Sequence, residues 1–178
     1  MHIVIYGETD KRPVIYTLLK LLQSLGDVAL ITTDRHFKRL TDGLDTGELE
    51  GIFISVGDYT PDDVFSALDM DVDDFEFVLY DGTIPEDHDS FIYVAGCNQS
   101  EEERDTLEYI DNPSTLSLGY GKNCIPYSVN MFKNIEEIEG FKSLKEVDPN
   151  VTKQVASIMA PILNMPANTI RKVVAKKR

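Results

Sequence analysis

Residues 3–14 read Ile-Val-Ile-Tyr-Gly-Glu-Thr-Asp-Lys-Arg-Pro-Val, and the rest of the chain is organised around them. Residues 3–6 form an uninterrupted apolar run, the pattern of a strand buried on both faces of a parallel sheet. Gly7 ends it. Pro13, suited to the first turn of a helix, is followed by Val14, Ile15, Leu18, Leu19, Leu22 and Leu25 at helical spacing, up to a stop at Gly26. A strand that runs through a tight loop into a helix N-terminus can surround an anion with backbone N–H groups. The loop itself, Gly7, Glu8, Thr9, Asp10, Lys11 and Arg12, mixes two acids with two bases.

Downstream, 28–32 read as a second strand and close a β-α-β unit. A short helix over 36–40 and a glycine-bearing loop lead to a third strand at 52–56. Thr60, Pro61 and Asp62 give the signal of a short helix reaching about residue 68. A fourth strand, 75–80, delivers Asp81 to its carboxyl end, and 91–95 form a fifth. Ser100 and Glu103 have the spacing of a capping box for a helix to about residue 110. The pattern continues with a short strand at 116–118, an extended stretch at 124–126 and a short helix over 132–138. Asp148 and Pro149 cap a longer helix to about residue 163. Strands alternating with helices predict an α/β fold in three layers, α/β/α, with a mainly parallel sheet. Ligands of such sheets bind beyond the carboxyl ends of the strands, where Gly7, Asp34 and Asp81 would lie.

At 178 residues the chain suits one domain, assigned to 1–165, followed by a basic tail, 166–178. A net charge of −14 argues against a surface that tracks nucleic acid, which needs clustered Lys and Arg. Five of the 17 bases, Arg171, Lys172, Lys176, Lys177 and Arg178, fall in the tail, leaving 12 against 31 acids. Ile170, Val173 and Val174 give the tail a narrow apolar face. It is a candidate for weak peripheral contact with a membrane, for docking on an acidic partner or on the chain's own acidic body, or for a frayed end. Neither a signal core nor an 18-residue apolar run is present, so a cytoplasmic protein is expected. Cys97 and Cys124 form no metal or CxxC spacing, and His2, His36 and His88 build no catalytic constellation.

Taken in order, IVIYGETDKRPV, LLKLLQSLGDVALITTD, FEFVLYDGTIP and CIPYSVNMFKNIEEIEGF resemble the ParA/MinD branch of P-loop ATPases over most of residues 1–165. The resemblance implies a P-loop NTPase-like fold and a KGGxGKT loop after the first strand. Aligned on Gly7, the family's first lysine falls on Glu8, its glycines on Thr9, Asp10 and Arg12, its second lysine on Pro13 and its hydroxyl on Val14. Asp34 retains one of two aspartates after the second strand, Thr32 standing where the other would be. Asp81 is similar to the magnesium-associated carboxylate. With the phosphate-binding side chains replaced, the resemblance implies a pseudo-ATPase without ATP, magnesium or another cofactor. It would recognise a protein partner as adaptor, scaffold or spatial-regulatory subunit of a bacterial assembly of the secretion, pilus, conjugation or partition type. Relatives pair through their nucleotide faces, so a homodimer is a further expectation.

Two alternatives stay open. Leu79-Tyr80-Asp81-Gly82-Thr83-Ile84-Pro85 also resembles the phospho-acceptor strand of a response-regulator receiver. Glu8 and Asp10 would be its acidic pair and Lys122 its only later lysine, and the strand at 52–56 is one more than a receiver requires. The other is an active ATPase with an atypical phosphate loop, with Lys11 and Arg12 serving a shifted anion site.

Overall fold

A computed structural model describes residues 1–58, 63, 65–66 and 70–176. Seven strands form one sheet: β1 (His2–Tyr6), β2 (Val28–Thr32), β3 (Thr46–Leu49), β4 (Ile52–Val56), β5 (Phe77–Asp81), β6 (Ser90–Ala95) and β7 (Ser114–Ser117). Their order is β3-β4-β2-β5-β1-β6-β7, parallel throughout except for the β3–β4 hairpin at one edge. Among the described residues five regular helices accompany them: α1 (Arg12–Leu22), α2 (Glu101–Glu108), α3 (Val129–Phe141), α4 (Pro149–Ile162) and α5 (Ala167–Ala175).

The pleat sends alternate residues to opposite faces, and each face has its own core. Ile3, Ile5, Leu30, Ile54, Leu79, Ile92 and Val94 pack against α1, α3, α4 and α5. On the other face Val4, Ile31, Val78, Tyr80, Phe91 and Tyr93 pack against Phe65, Val72, Phe75 and the α2 residues Leu107 and its neighbour Ile110. The expected three layers are therefore present. Among the described residues no helix is long and apolar enough to cross a membrane.

Several boundaries differ from the expected ones for identifiable reasons. Helix α1 ends at Leu22, and Gly26 serves a close approach instead, since a Cβ there would overlap the Glu76 carboxylate. Strand β3 lies inside the expected glycine loop. Glu50 and Gly51 both take positive φ, 49° and 84°, as a tight two-residue hairpin turn requires. Asp81 is the last residue of β5 rather than the first after it. Helix α3 runs 13 residues because Ser128 caps it by accepting the Met131 N–H. The short helix read from Thr60, Pro61 and Asp62 falls mostly outside the described residues.

The tail is a larger correction. It forms α5, and Ile170 and Val174 are completely buried in the main core beside α1 and α4. Val173 is half-buried, so the apolar face read as a membrane contact is occupied by the domain itself. Arg171, Lys172 and Lys176 remain exposed on the outer side, and Lys177 and Arg178 lie outside the described residues.

Candidate functional site

The carboxyl ends of β1, β2, β5 and β6 meet at one edge. Here β1 leads towards β2 on one side while β6 leads to β7 on the other, the arrangement that opens a crevice in a parallel sheet. Register places Asp81 beside Ile5 of β1 and Thr32 of β2. Gly7 follows at φ 138°, and a Cβ on it would stand 2.3 Å from the Val94 carbonyl oxygen. Close approach of the loop to β6 therefore accounts for this glycine without any ligand.

Asp81 is 1% exposed. The Thr32 hydroxyl donates to its Oδ2 at 2.6 Å and accepts the Asp34 N–H at 3.0 Å. Its Oδ1 meets the Lys11 ammonium at 3.2 Å, an ion-pair contact, while the same ammonium donates to the Gly7 carbonyl at 2.6 Å. Burial pushes the Asp81 carboxyl above the usual range; the positive charge of Lys11 and the Thr32 hydroxyl act against that rise. Asp34 itself caps the turn Arg35–Arg39, accepting the His36 N–H at 2.9 Å.

The other loop residues turn elsewhere. Glu8 donates its N–H to Glu103 Oε1 at 2.8 Å, and its side chain accepts from the Ser100 hydroxyl at 2.7 Å. Ser100 and Glu103 complete the expected capping box of α2, so the carboxylate that caps that helix also holds the β1 loop. Thr9 shares a hydrogen bond of 2.9 Å with the Tyr127 hydroxyl. Asp10 accepts the Arg12 N–H at 3.1 Å and grips its guanidinium through both oxygens. Burial pushes the Asp10 carboxyl up, but the hydrogen bond and charge of Arg12 outweigh it and hold the group below its ordinary value.

Arg12 then extends to Glu139, on the buried side of α3, which accepts Arg12 Nη1 at 2.9 Å, the Tyr16 hydroxyl at 3.2 Å and Arg39 Nη1 at 2.7 Å. The Arg12 guanidinium is held even more firmly protonated, through Asp10 first and Glu139 after burial is overcome. Burial and the adjacent Glu139 carboxylate raise the Tyr16 phenol, which therefore acts as a donor.

The structure thus gathers Gly7, Lys11, Asp34 and Asp81 at one crevice, and directs Glu8 towards α2 and Asp10 and Arg12 towards α3. Glu139, Arg39 and Tyr127 were not legible as site residues, and Glu103 was legible only as a helix cap. Glu139 had a signal: it lies four residues after Ile135 and eight after Met131, on the apolar side of a helix, where an acid requires a cationic partner. Among the described residues no group of three His, Cys, Asp or Glu could hold a metal ion.

Chemically, the cations Lys11, Arg12 and Arg39 are taken up by the arrangement's own carboxylates. A carboxylate from α2 sits on a loop amide, and a lysine from the loop sits on the strand-end aspartate. Two guanidiniums share the Glu139 carboxylate, with Asp10 on the far side of Arg12. Compared with known proteins, the sequence matches no family model and no curated protein.

Proposed function

We propose that this chain is a non-hydrolysing protein of the ParA/MinD type, acting as an adaptor, scaffold or spatial-regulatory subunit through protein recognition. The observation that carries this reading is the pair of internal counter-charges at the β1 loop. Glu103 Oε1 accepts the Glu8 N–H at 2.8 Å, on the loop that would hold a phosphate, and Lys11 Nζ stands 3.2 Å from Asp81, where a nucleotide-bound cation would stand. Phosphate entering this loop would meet Glu103, Glu8 and Asp10, and like charges at contact distance in a partly buried site oppose one another by several kcal/mol.

The same geometry weighs against the two other readings. A receiver-like acceptor must expose a carboxylate oxygen to a phosphodonor, whereas Asp81 is 1% exposed, with Oδ2 bonded by Thr32 and Oδ1 in ion-pair contact with Lys11. An active ATPase with Lys11 and Arg12 as its cations would have to free both from Asp81, Asp10 and Glu139 first. Calorimetry with ATP, ADP or GTP and magnesium tests the proposal: no binding heat is expected. Magnesium-dependent heat that disappears in Asp81→Ala would return the chain to the active enzymes.

A further inference from the structure

Helices α4 and α5 border an open cavity of about 370 Å³, none of whose lining residues belongs to the β1 loop. Glu146, Pro149 and Thr152 line it from the α4 side. Asn168, Arg171, Lys172 and Ala175, spaced as one face of α5, line it from the other. Glu146 stands just before α4, and its backbone is tied to α3, where the Asn134 amide donates to the Glu146 and Val147 carbonyls at 3.3 and 2.7 Å. The volume is at the lower end of the range for small-molecule sites.

Thr152 is 2% exposed, and its hydroxyl has no hydrogen-bond partner among the described residues. Its N–H already takes the Asp148 carbonyl, at 2.9 Å. A buried hydroxyl left unpaired is a standing cost that a ligand in the cavity removes. The charged groups are unmatched as well: among the described residues no ion pair or hydrogen bond engages the side chains of Glu146, Arg171 or Lys172. Neighbouring charges do not fill the gap. Asp148 caps α4 by accepting the Asn150 and Val151 N–H groups, Lys145 pairs with Glu137, and Lys153 and Lys176 do not line the cavity. Two cations on α5 therefore oppose one carboxylate. Residues 142–178 carry eight bases and two acids against nine and 29 in residues 1–141, so this end of an acidic chain attracts anions.

We infer that this cavity binds a small amino dicarboxylate of the size of glutamate, with its carboxylates on Arg171 and Lys172, its ammonium on Glu146, and the Thr152 hydroxyl and Asn168 amide completing its hydrogen bonds. The balance of charges selects the class. An anion without an ammonium would face Glu146 as a like charge, and a ligand with one carboxylate would leave one cation unmatched. Pro149 and Ala175 supply apolar surface for the methylenes between the charged ends. The site shares no residue with the β1 loop and stands whether or not that loop binds nucleotide.

Amide NMR of the isotope-labelled full chain at constant ionic strength tests this, with L-glutamate, glutarate and L-glutamine as probes. Glutamate is expected to give saturable shifts at residues 146–153 and 168–175. Glutarate, which lacks the ammonium, and glutamine, which lacks one carboxylate, are each expected to bind about tenfold more weakly or worse. Arg171→Gln should weaken glutamate by a similar factor, and Glu146→Gln should abolish its advantage over glutarate. Thr152→Val keeps the shape and removes a hydroxyl with no partner in the free chain, so the melting temperature should hold or rise while glutamate binds about fivefold more weakly. Glutarate or glutamine binding as tightly as glutamate, shifts confined to other residues, no saturable response up to about 10 mM, or unchanged affinity in Arg171→Gln and Thr152→Val would overturn the inference.

Discussion

Replacing Lys11 by Met removes the ammonium from Asp81 while keeping most of the aliphatic stem. At 3.2 Å the pair attracts by about 5 kcal/mol in an effective dielectric near 20. Desolvation of both groups offsets part of that, and Lys11 is already partly solvated. Removing one partner leaves the other charge buried, and such losses run to about 3–5 kcal/mol. The pH dependence provides the sharper test. Asp81 has a folded pKa raised by burial, so the native state binds more protons than the unfolded state between the unfolded value and the folded one. Stability therefore falls as pH rises through that window and levels off above it. Without Lys11 the largest influence lowering the pKa is gone and only the Thr32 hydroxyl still acts against burial, so the window extends upward and the variant loses more at pH 7 than at pH 5.

Urea denaturation of the wild type, Lys11→Met, Asp81→Asn and the double variant at both pH values measures all of this. The double variant is expected to be more stable than the sum of the two singles implies, because neither charge is then left alone. A Lys11→Met loss below about 1 kcal/mol with no change between pH 5 and pH 7 would place the pair among solvent-screened surface contacts and rule out a buried ion pair.

Other perturbations follow from the same geometry. Glu139→Gln removes the charge shared by Arg12 and Arg39 and should destabilise by about 2–4 kcal/mol in urea, more than Glu136→Gln on the exposed side of the same helix. Gly7→Ala forces a Cβ against the Val94 carbonyl and should cost at least about 2 kcal/mol with no nucleotide present, a loss that a purely ligand-binding glycine would not show. Deletion of residues 166–178 uncovers the core around Ile170 and Val174 and should cost about 3–6 kcal/mol from those two side chains; an unchanged melting temperature would restore the free-tail reading. Ser100→Ala breaks the capping box and its bond to Glu8, and a loss of about 1–2 kcal/mol is expected by thermal melting.

The sheet was legible because the strands of a parallel sheet, buried on both faces, are apolar runs regardless of their neighbours, and 28–32, 52–56 and 91–95 fall within a residue of the observed β2, β4 and β6. Strand β3 was hidden for the converse reason: Thr-Gly-Glu-Leu lies at an edge, and only its pairing with β4 makes it a strand. Local caps were also readable, as Ser100 with Glu103 and Asp148 with Pro149 show, since their bonds span three residues or fewer. What the sequence could not disclose is the second use of those groups. That Glu103 reaches the β1 loop, that Glu139 gathers Arg12 and Arg39, and that Lys11 folds back on Asp81 all depend on contacts between residues 70 to 127 positions apart. The tail's basic residues suggested contact with a membrane, an acidic partner or the chain's own acidic body, whereas its aliphatic residues Ile170, Val173 and Val174 pack against the main core beside α1 and α4.

In the proposed reading, the anion and cation places of the β1 loop are filled from within, by Glu103 on the Glu8 N–H and by Lys11 on Asp81. An amide NMR titration of the full chain with ATP and magnesium reads those places directly. Unmoved resonances are expected for Gly7 to Arg12, Asp81 and Glu103 at millimolar nucleotide; saturable, magnesium-dependent shifts at those residues would contradict the proposal.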